Sequence, residues 1–347
     1  MDPVTHFMTG AVLSRAGFNR KTAYATLAMT LAAEAPDLDV LWSIKGPVAS
    51  FQHHRGWTHT LLGVPFEAVV VVGFIWLVHR WRLRRNPAPT TAAPLRWPLL
   101  YLFSLIALLS HILLDWTNNY GVRPFFPFNP RWYAGSFVFI FEPLIFFALL
   151  AALTLPALFG LVSMEVGARR SRFRGQSWAI AALLFIVALW GLRYYERNQA
   201  ISLARSAEDH PEQIERITAD PYAFNPFHWQ TVVDLPLLYR VSSVDTRTGQ
   251  VNSDPQSGIF YKPASTLAVL EAKRSWLGNA YLDWSQWPLV NEAGTDRAGF
   301  TAVTFRDLRF LYPDGGMFGG RTPLMGVAYI NSDRRLDHME LDGTDQN

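Results

Sequence analysis

Four stretches of this chain are apolar over a length that suffices to cross a lipid bilayer. A spanning helix needs about 20 apolar residues, and lipid offers no partner for an unpaired backbone N–H or C=O. Each stretch therefore predicts a membrane-spanning α-helix. Only 17% of the 347 residues are charged, which is fewer than in a typical soluble protein. The predicted spans are Thr58–His79, Trp97–Trp116, Ser136–Ser163 and Gln176–Tyr195.

Two shorter apolar segments precede these spans. Val4–Ala16 and Thr22–Ala35 are rich in Gly, Ala, Ser and Thr, and small residues let helices approach closely inside membranes. Each predicts a helix that is short for a bilayer. The pair therefore has three interpretations: tilted spans, a re-entrant hairpin, or two helices lying in the interface.

Basic residues in the short loops predict the orientation. They lie in three connections, and the positive-inside rule assigns such loops to the cytoplasm. The remaining connections, and everything after Tyr195, are then expected on the outer face of the membrane. The basic residues are Arg15, Arg20 and Lys21 in the first connection, Arg80, Arg82, Arg84, Arg85 and Arg96 in the second, and Arg169, Arg170, Arg172 and Arg174 in the third.

The composition changes after the last predicted span. From Glu196 onward charged residues, Pro and turn residues increase, and short alternating runs such as Tyr239–Val244 predict β-strands. Ala264–Leu277 predicts a helix. We therefore expect an all-α polytopic membrane bundle in residues 1–200, with four spans and a short N-terminal helical hairpin. A small β-rich or α+β soluble domain should follow in residues 201–347 on the outer face.

Charge and cysteine content exclude several functions. The net charge is only +3 and the arginines are explained by topology, so nucleic-acid binding is not expected. The chain has no cysteine, which excludes thiolate zinc sites, disulfides and cysteine nucleophiles.

His111-Ile-Leu-Leu-Asp115 is the strongest single motif for metal binding. Residues four apart share one face of a helix, so an imidazole and a carboxylate can reach the same ion. Ionisable groups are costly inside a span unless they face the bundle interior, pair or bind metal. A buried His–Asp hydrogen bond without metal is the alternative interpretation.

Three further segments carry residues of the same chemical type. The run from His53 to His59 holds three imidazoles, of which His54 and His59 are the predicted ligands and His53 a supporting group. Pro36-Asp37-Leu38-Asp39 is also a common turn element. If it is extended, both carboxylates point the same way, so both can bind metal or one can orient a histidine. His6 is included as a candidate ligand because its predicted position is at the same membrane face.

The predicted topology places all of these residues at or near outward-facing helix ends. A His and carboxylate set without thiolate suits a divalent zinc, manganese or iron ion. One or two ions are expected, and two ions sharing the Asp115 carboxylate accommodate so many ligands better than one. The predicted metal ligands are His6, Asp37, Asp39, His54, His59, His111 and Asp115.

Four residues are candidates for catalysis. Asp39 and Glu142, which lies near the outer end of the third span, are predicted general bases, and Glu142 is alternatively a further ligand. Arg123 and Arg131 follow Asp115 in an outer loop and could hold an anionic group such as a phosphate. Ordinary interfacial positioning of long basic side chains is the alternative for both arginines.

The order of these motifs resembles the YdjM family over roughly the first 200 residues. Its members are bacterial inner-membrane proteins described as metal-dependent hydrolases, some of them linked to LexA-controlled expression. The resemblance implies a membrane-embedded metal site and hydrolase activity. It rests on His6, Pro36-Asp37-x-Asp39, His54-Arg55-Gly56-x-Thr58-His59 and His111-x-x-x-Asp115-x-x-Asn118-x-Tyr120-Gly121.

A more distant resemblance is to zinc-dependent phospholipase C and the P1-type nucleases. These helical enzymes hold three zinc ions, and the Asp of their His-x-x-x-Asp motif bridges two metals, which implies that role for Asp115. They have a further His shortly after this motif, and this chain has none there. Glu142 is the candidate for that position.

Together these patterns predict a membrane-bound metal-dependent hydrolase. The expected reaction is attack of metal-activated water on a phosphoester or related bond in an amphiphilic or lipid substrate, with membrane lipids as the surrounding partners. The alternative is a non-catalytic membrane protein with a structural metal or a polar His/Asp network. Transport is disfavoured because the ligands gather at one face instead of following a path through the membrane.

Overall fold

A computed structural model describes residues 1–86, 93–165, 174–254, 257–295, 299–312 and 322–346. The predicted cytoplasmic arginines Arg169, Arg170 and Arg172 lie outside these residues. The helices in the described part are α1 (Pro3–Arg15), α2 (Ala25–Glu34), α3 (Pro47–His53), α4 (Val64–Arg85), α5 (Trp97–Thr117), α6 (Pro143–Glu165), α7 (Gln176–Ser206), α8 (Leu267–Arg274) and α9 (Trp276–Trp284).

The chain divides into two compact units. The first comprises Met1–Asp39 and Arg55–Leu192, and the second comprises Val40–His54 and Arg193–Asn347. The division falls inside α7, a few residues before the predicted boundary at residue 200. The second unit also takes in the short segment that separates Asp39 from Arg55.

The four predicted spans are confirmed as α4, α5, α6 and α7, each long and apolar enough to cross a membrane. Two of them begin later than predicted. α4 starts at Val64 because His59 belongs to a 3-10 turn and Thr60 is extended. α6 starts at Pro143, a residue suited to the first turn of a helix, and Val138 before it forms a bridge with Asn118.

The two helices of the N-terminal hairpin, α1 and α2, approach each other so closely that a side chain would not fit at the crossing. The Asp2 carboxylate caps α1 by accepting a hydrogen bond of 2.9 Å from the Thr5 backbone N–H. Where α1 crosses α2, a Cβ added to Gly10 would lie 2.5 Å from the Met29 carbonyl oxygen. The crossing therefore requires glycine at position 10, as expected for helices joined by small residues.

α2 packs in turn against α4 and α5. The buried core between these helices is built from side chains such as Met29, Ile75, Leu100 and Leu108. In contrast, Phe66, Val69 and Val70 on α4 remain well exposed. Such an outward apolar surface is what a lipid-facing helix presents.

The second unit contains two antiparallel five-stranded sheets. One sheet has the order β1-β2-β3-β4, with β5 also paired to β3, and the other has the order β10-β9-β8-β7-β6. The strands are β1 (Arg216–Pro221), β2 (His228–Asp234), β3 (Leu238–Asp245), β4 (Gln250–Asn252), β5 (Ile259–Tyr261), β6 (Pro288–Thr295), β7 (Thr301–Asp307), β8 (Gly326–Ile330), β9 (Leu336–Leu341) and β10 (Thr344–Asp345).

The predicted α+β character of this unit is confirmed, but the single predicted helix Ala264–Leu277 is two helices. Ser275 has an extended backbone between α8 and α9, and its hydroxyl accepts a hydrogen bond of 3.0 Å from the Gly278 N–H. Serine is a favoured N-cap residue, so it ends one helix and begins the next. Within the same unit, Phe51 of α3 contacts Tyr281 and Trp284 of α9.

Candidate metal centre

Four side chains of the first unit converge at the C-terminal end of α5. His111 and Asp115 lie one turn apart on α5, His59 lies in the 3-10 turn Trp57–His59, and Asp37 follows α2. One ligand atom from each lies within 4.8 Å of all the others. The side chains of His59, His111 and Asp115 are fully buried, whereas that of Asp37 is 17% exposed.

Most of the distances within this group match those between ligands of one metal ion, and the separation of the two Nε2 atoms is shorter. The two Nε2 atoms of His59 and His111 are 3.0 Å apart, and each is 3.3 Å from Asp115 Oδ2 and 3.6 Å from Asp37 Oδ1. Four ligands placed about 2.0–2.2 Å from a tetrahedral ion are separated by about 3.3–3.6 Å. The group could therefore hold one divalent ion with little movement.

Hydrogen bonding supports the same conclusion. Asp115 Oδ2, the oxygen that faces both imidazoles, is buried without a hydrogen-bond partner in the described part of the chain. A buried carboxylate oxygen left unsatisfied costs free energy that a bound cation would recover. Two imidazole nitrogens facing each other and the same carboxylate are likewise better explained by a shared ion than by hydrogen bonds alone.

A backbone carbonyl contacts one imidazole on its outer side, and side chains contact the other. His111 Nδ1 lies 2.7 Å from the Ala33 carbonyl oxygen, and since only a protonated nitrogen can donate there, Nε2 is left to face the group. His59 Nδ1 lies 3.1 Å from Thr58 Oγ1 and 3.4 Å from Asp39 Oδ2. Asp39 therefore lies on the side of His59 away from the converging Nε2 atoms.

The two aspartates diverge because the segment is not extended. Ala35–Lys45 forms a 3-10 helix, in which each residue turns by about 120°, so residues two apart face different directions. Asp37 faces the group and Asp39 orients His59. Of these two aspartates, the structure places Asp37 in the four-residue group and Asp39 beside His59 Nδ1.

Arg55 contacts the centre although the sequence did not single it out as a functional residue. It is buried, and its Nη2 lies 2.8 Å from Asp115 Oδ1. Its Nη1 donates to the Gly121 carbonyl and Asn118 Oδ1 at 2.8 and 3.2 Å, and its backbone N–H donates to Asp39 Oδ2 at 2.7 Å. Burial lowers the pKa of Arg55 to about 10, which still leaves it charged at neutral pH.

His6 approaches the other oxygen of Asp115. Its ring stacks on that of His111 with centroids 3.7 Å apart, and its Nε2 lies 3.3 Å from Asp115 Oδ1. The amine of Met1 also contacts this oxygen and lies 2.8 Å from His6 Nε2. With the Arg55 guanidinium at the same oxygen, a second cation here would meet an existing positive charge.

The other predicted site residues lie outside the four-residue group. His54 belongs to the second unit and is half-buried at the end of α3. Glu142 is fully buried immediately before α6. Arg123 is buried over the rings of Phe126 and Trp132. Arg131 is exposed beside Tyr133.

Glu34 is a further carboxyl group near the centre that the sequence did not mark. It ends α2, one helical turn before Asp37, and its Oε1 is buried without a hydrogen-bond partner in the described residues. Burial and the nearby Asp37 carboxylate raise the pKa of Glu34 to about 7. Its spacing of three residues from Asp37 is the signal that could have identified it.

The sequence model of the YdjM inner membrane protein family matches residues 1–200, which is more than half of the chain. The chain belongs to the YdjM inner membrane protein family. The matched YdjM region contains every predicted metal ligand and all four spans through most of α7. This membership, together with the four apolar helices, identifies the chain as a membrane protein and confirms the resemblance recognised in its motifs.

Among curated proteins, a similar one is the uncharacterized protein YfhP of Bacillus subtilis (strain 168). It is 28% identical over 163 residues, which cover 45% of this YdjM chain and 46% of the relative. The matched region thus spans about half the length of that relative. No solved structure matches this chain significantly.

Proposed function

We propose that this YdjM protein is a membrane-bound metal-dependent hydrolase acting on a phosphoester or related bond in an amphiphilic or lipid substrate. The observation that carries the proposal is the convergence of Asp37, His59, His111 and Asp115 around a point where the buried Asp115 Oδ2 lacks a hydrogen bond. Buried, convergent and unsatisfied ligand atoms are typical of a metal centre in a functional site.

Zinc is the ion we favour, with manganese and iron as alternatives. Two imidazoles and two carboxylates form a donor set that suits these metals, and a zinc ion that activates water would keep one further position open beside its protein ligands. One ion is better supported than two, because Arg55 already neutralises Asp115 Oδ1. Asp37 is the most accessible ligand, so its side of the centre is our candidate for the approach of substrate.

The protein residues would prepare the centre in distinct ways. A bound divalent ion supplies Lewis acidity and lowers the pKa of water, which makes hydrolysis at neutral pH accessible. Asp39 and the Ala33 carbonyl hold the two imidazoles in the orientation that directs Nε2 inward. Arg55 holds Asp115 so that Oδ2 faces the other ligands.

Other roles predicted from the sequence remain part of the proposal. Glu142 is the proposed general base, because Asp39 Oδ2 already contacts His59 Nδ1 and accepts a hydrogen bond from the Arg55 N–H. Arg123 and Arg131 are the proposed contacts for an anionic substrate group. The positive-inside rule supports an outward metal centre, and a site at the membrane surface favours an amphiphilic substrate.

The second candidate is a structural metal or polar network that carries out no reaction. The dense contacts of Arg55 with Asp115, Asn118 and Gly121 favour it, because they tie the segments around the centre together. A structural ion would make folding depend on metal, whereas a catalytic ion can be removed from an intact protein.

The metal content of detergent-purified protein tests the proposal. We expect about one equivalent of a divalent metal in wild type by mass spectrometry, and its loss in His111→Ala and Asp115→Ala. Reconstituted wild type should then hydrolyse a phosphoester from a screened panel, and both variants should not. Absence of bound metal after incubation with excess zinc, manganese and iron would overturn the metal centre. Metal binding without turnover, with unfolding on chelation, would establish the structural alternative.

A further inference from the structure

A cavity of about 700 Å³ lies within the first unit, away from the metal centre. It is lined by Phe18, in the 3-10 turn that follows α1, and by Leu99 near the start of α5. Since α5 rises about 1.5 Å per residue, Leu99 is about 18–24 Å from His111 and Asp115. The cavity is therefore at the opposite end of the spans and forms a separate site.

The walls of this cavity combine positive charge with apolar surface. Arg20 and Lys21, in the turn between α1 and α2, supply two neighbouring cations. Phe18, Leu99 and Phe103 supply the apolar side, and the rings of Phe18 and Phe103 meet edge to face with centroids 4.7 Å apart. A ligand matching both surfaces must carry an anionic group and a hydrocarbon part.

A hydrogen bond between the ends of two helices also lies at the cavity. Gln176, the first residue of α7, lines the cavity and donates a hydrogen bond of 2.9 Å from Nε2 to the Ala16 carbonyl. This bond fixes the end of α1 against the start of α7. Both α5 and α7 begin near the cavity, so the positive ends of their dipoles add to the two basic side chains.

We propose that this cavity binds one anionic phospholipid. The phosphate would lie against Arg20 and Lys21, and an acyl chain would follow Phe18, Leu99 and Phe103. The cavity volume falls in the range of small-molecule sites. Basic pockets between spanning helices bind anionic headgroups, and the predicted cytoplasmic location of this end faces the leaflet with the more negative surface.

Native mass spectrometry of the full chain in detergent tests the proposal, with phosphatidylglycerol and phosphatidylcholine of identical acyl chains as probes. Wild type should bind phosphatidylglycerol at least about 10-fold more tightly than phosphatidylcholine. Arg20→Ala/Lys21→Ala should weaken phosphatidylglycerol binding by roughly 10- to 30-fold. The matched control is Arg84→Ala/Arg85→Ala, which removes two exposed cations at the end of α4 and should change binding by less than about twofold.

Two further outcomes separate a lipid from a simple anion. Leu99→Trp should fill the apolar part of the cavity and weaken lipid binding without removing a charge, and inorganic phosphate at millimolar concentration should compete poorly. Equal binding of the two lipids, or equal loss in the two double variants, would overturn the site. Full competition by phosphate with an unaffected Leu99→Trp variant would overturn the lipid in favour of a free anion. None of these readouts depends on bound metal or hydrolysis.

Discussion

Each of the two units buries a cluster of charged side chains, and the clusters differ in how their oxygen atoms are satisfied. In the second unit, Asp307 and Arg309 form an ion pair with N–O distances of 2.8 and 2.9 Å. Asp307 also accepts hydrogen bonds from the Ser285 hydroxyl at 2.6 Å and from the Gln286 N–H at 3.1 Å. Both oxygens of this carboxylate are therefore fully engaged.

The cluster of the first unit is equally buried but incompletely satisfied. Asp115 has one oxygen against Arg55, while its Oδ2 faces two imidazole nitrogens without a hydrogen bond. Burying a polar atom without a partner is unfavourable, so such an arrangement persists where a ligand supplies the missing contact. The comparison teaches that burial of charge alone does not indicate a metal site, whereas convergence of ligand atoms on an unsatisfied carboxylate oxygen supports one.

The two clusters should differ most in metal affinity when the central carboxylate of each is neutralised. Asp115→Asn should lower metal affinity by more than about 100-fold, because it removes a charged ligand. Asp307→Asn should leave metal content unchanged. Both are measured by mass spectrometry of purified protein, with elution as a single species as the test of folding. Equal metal loss in both variants would show that the effect is general destabilisation.

The ion pair of the second unit should instead dominate stability. Asp307→Ala leaves the Arg309 guanidinium buried without its partner, which costs about 3–5 kcal/mol. We expect a correspondingly lower free energy of unfolding, followed by tryptophan fluorescence in denaturant, since Trp284 lies beside Arg309. A loss below about 1 kcal/mol would contradict the view that this pair is structural.

A substitution at Asp39 tests whether this residue only orients His59 or binds the metal directly. If it only orients His59, Asp39→Ala should reduce metal affinity by about 10- to 100-fold while excess metal still restores full occupancy. Competition with a chelator measures this affinity. A loss as complete as in Asp115→Asn would instead make Asp39 a direct ligand.

Acid should weaken the second unit through Asp307. Burial opposes its ionisation, but Arg309 and the surrounding hydrogen bonds outweigh this and hold the pKa of Asp307 below its ordinary value of 3.8. The stabilisation is therefore complete above about pH 4 and is lost as the pH falls through the lowered pKa. Unfolding followed between pH 5 and pH 2 should show a larger acid-dependent loss of stability in wild type than in Asp307→Asn, because the variant lacks the share that Asp307 contributes.

The smallest effect on metal affinity is expected for a substitution of His54. Because His54 lies outside the four-residue group, His54→Ala should keep metal affinity within about twofold of wild type. The matched change His59→Ala should abolish binding. A large loss in His54→Ala would show that this histidine reaches the ion.

Much of the fold could be predicted because its signals are local. The length and apolarity of α4–α7 follow from the requirement that a chain in lipid satisfy its own backbone hydrogen bonds. The helix face shared by His111 and Asp115 follows from the period of the α-helix. The break at Ser275 was missed because a capping serine inside an amphipathic run looks like an ordinary helical residue.

The sequence by itself determined the membrane-spanning helices, the β-rich second unit and the chemical types of the candidate metal ligands. Only the tertiary structure decided which of the candidates meet. Asp37 and not Asp39 faces the group because a 3-10 helix turns residues two apart away from each other. Arg55 joins the site because its buried guanidinium reaches α5 and the chain that follows it. Such choices depend on contacts between segments far apart in sequence, which no local pattern encodes.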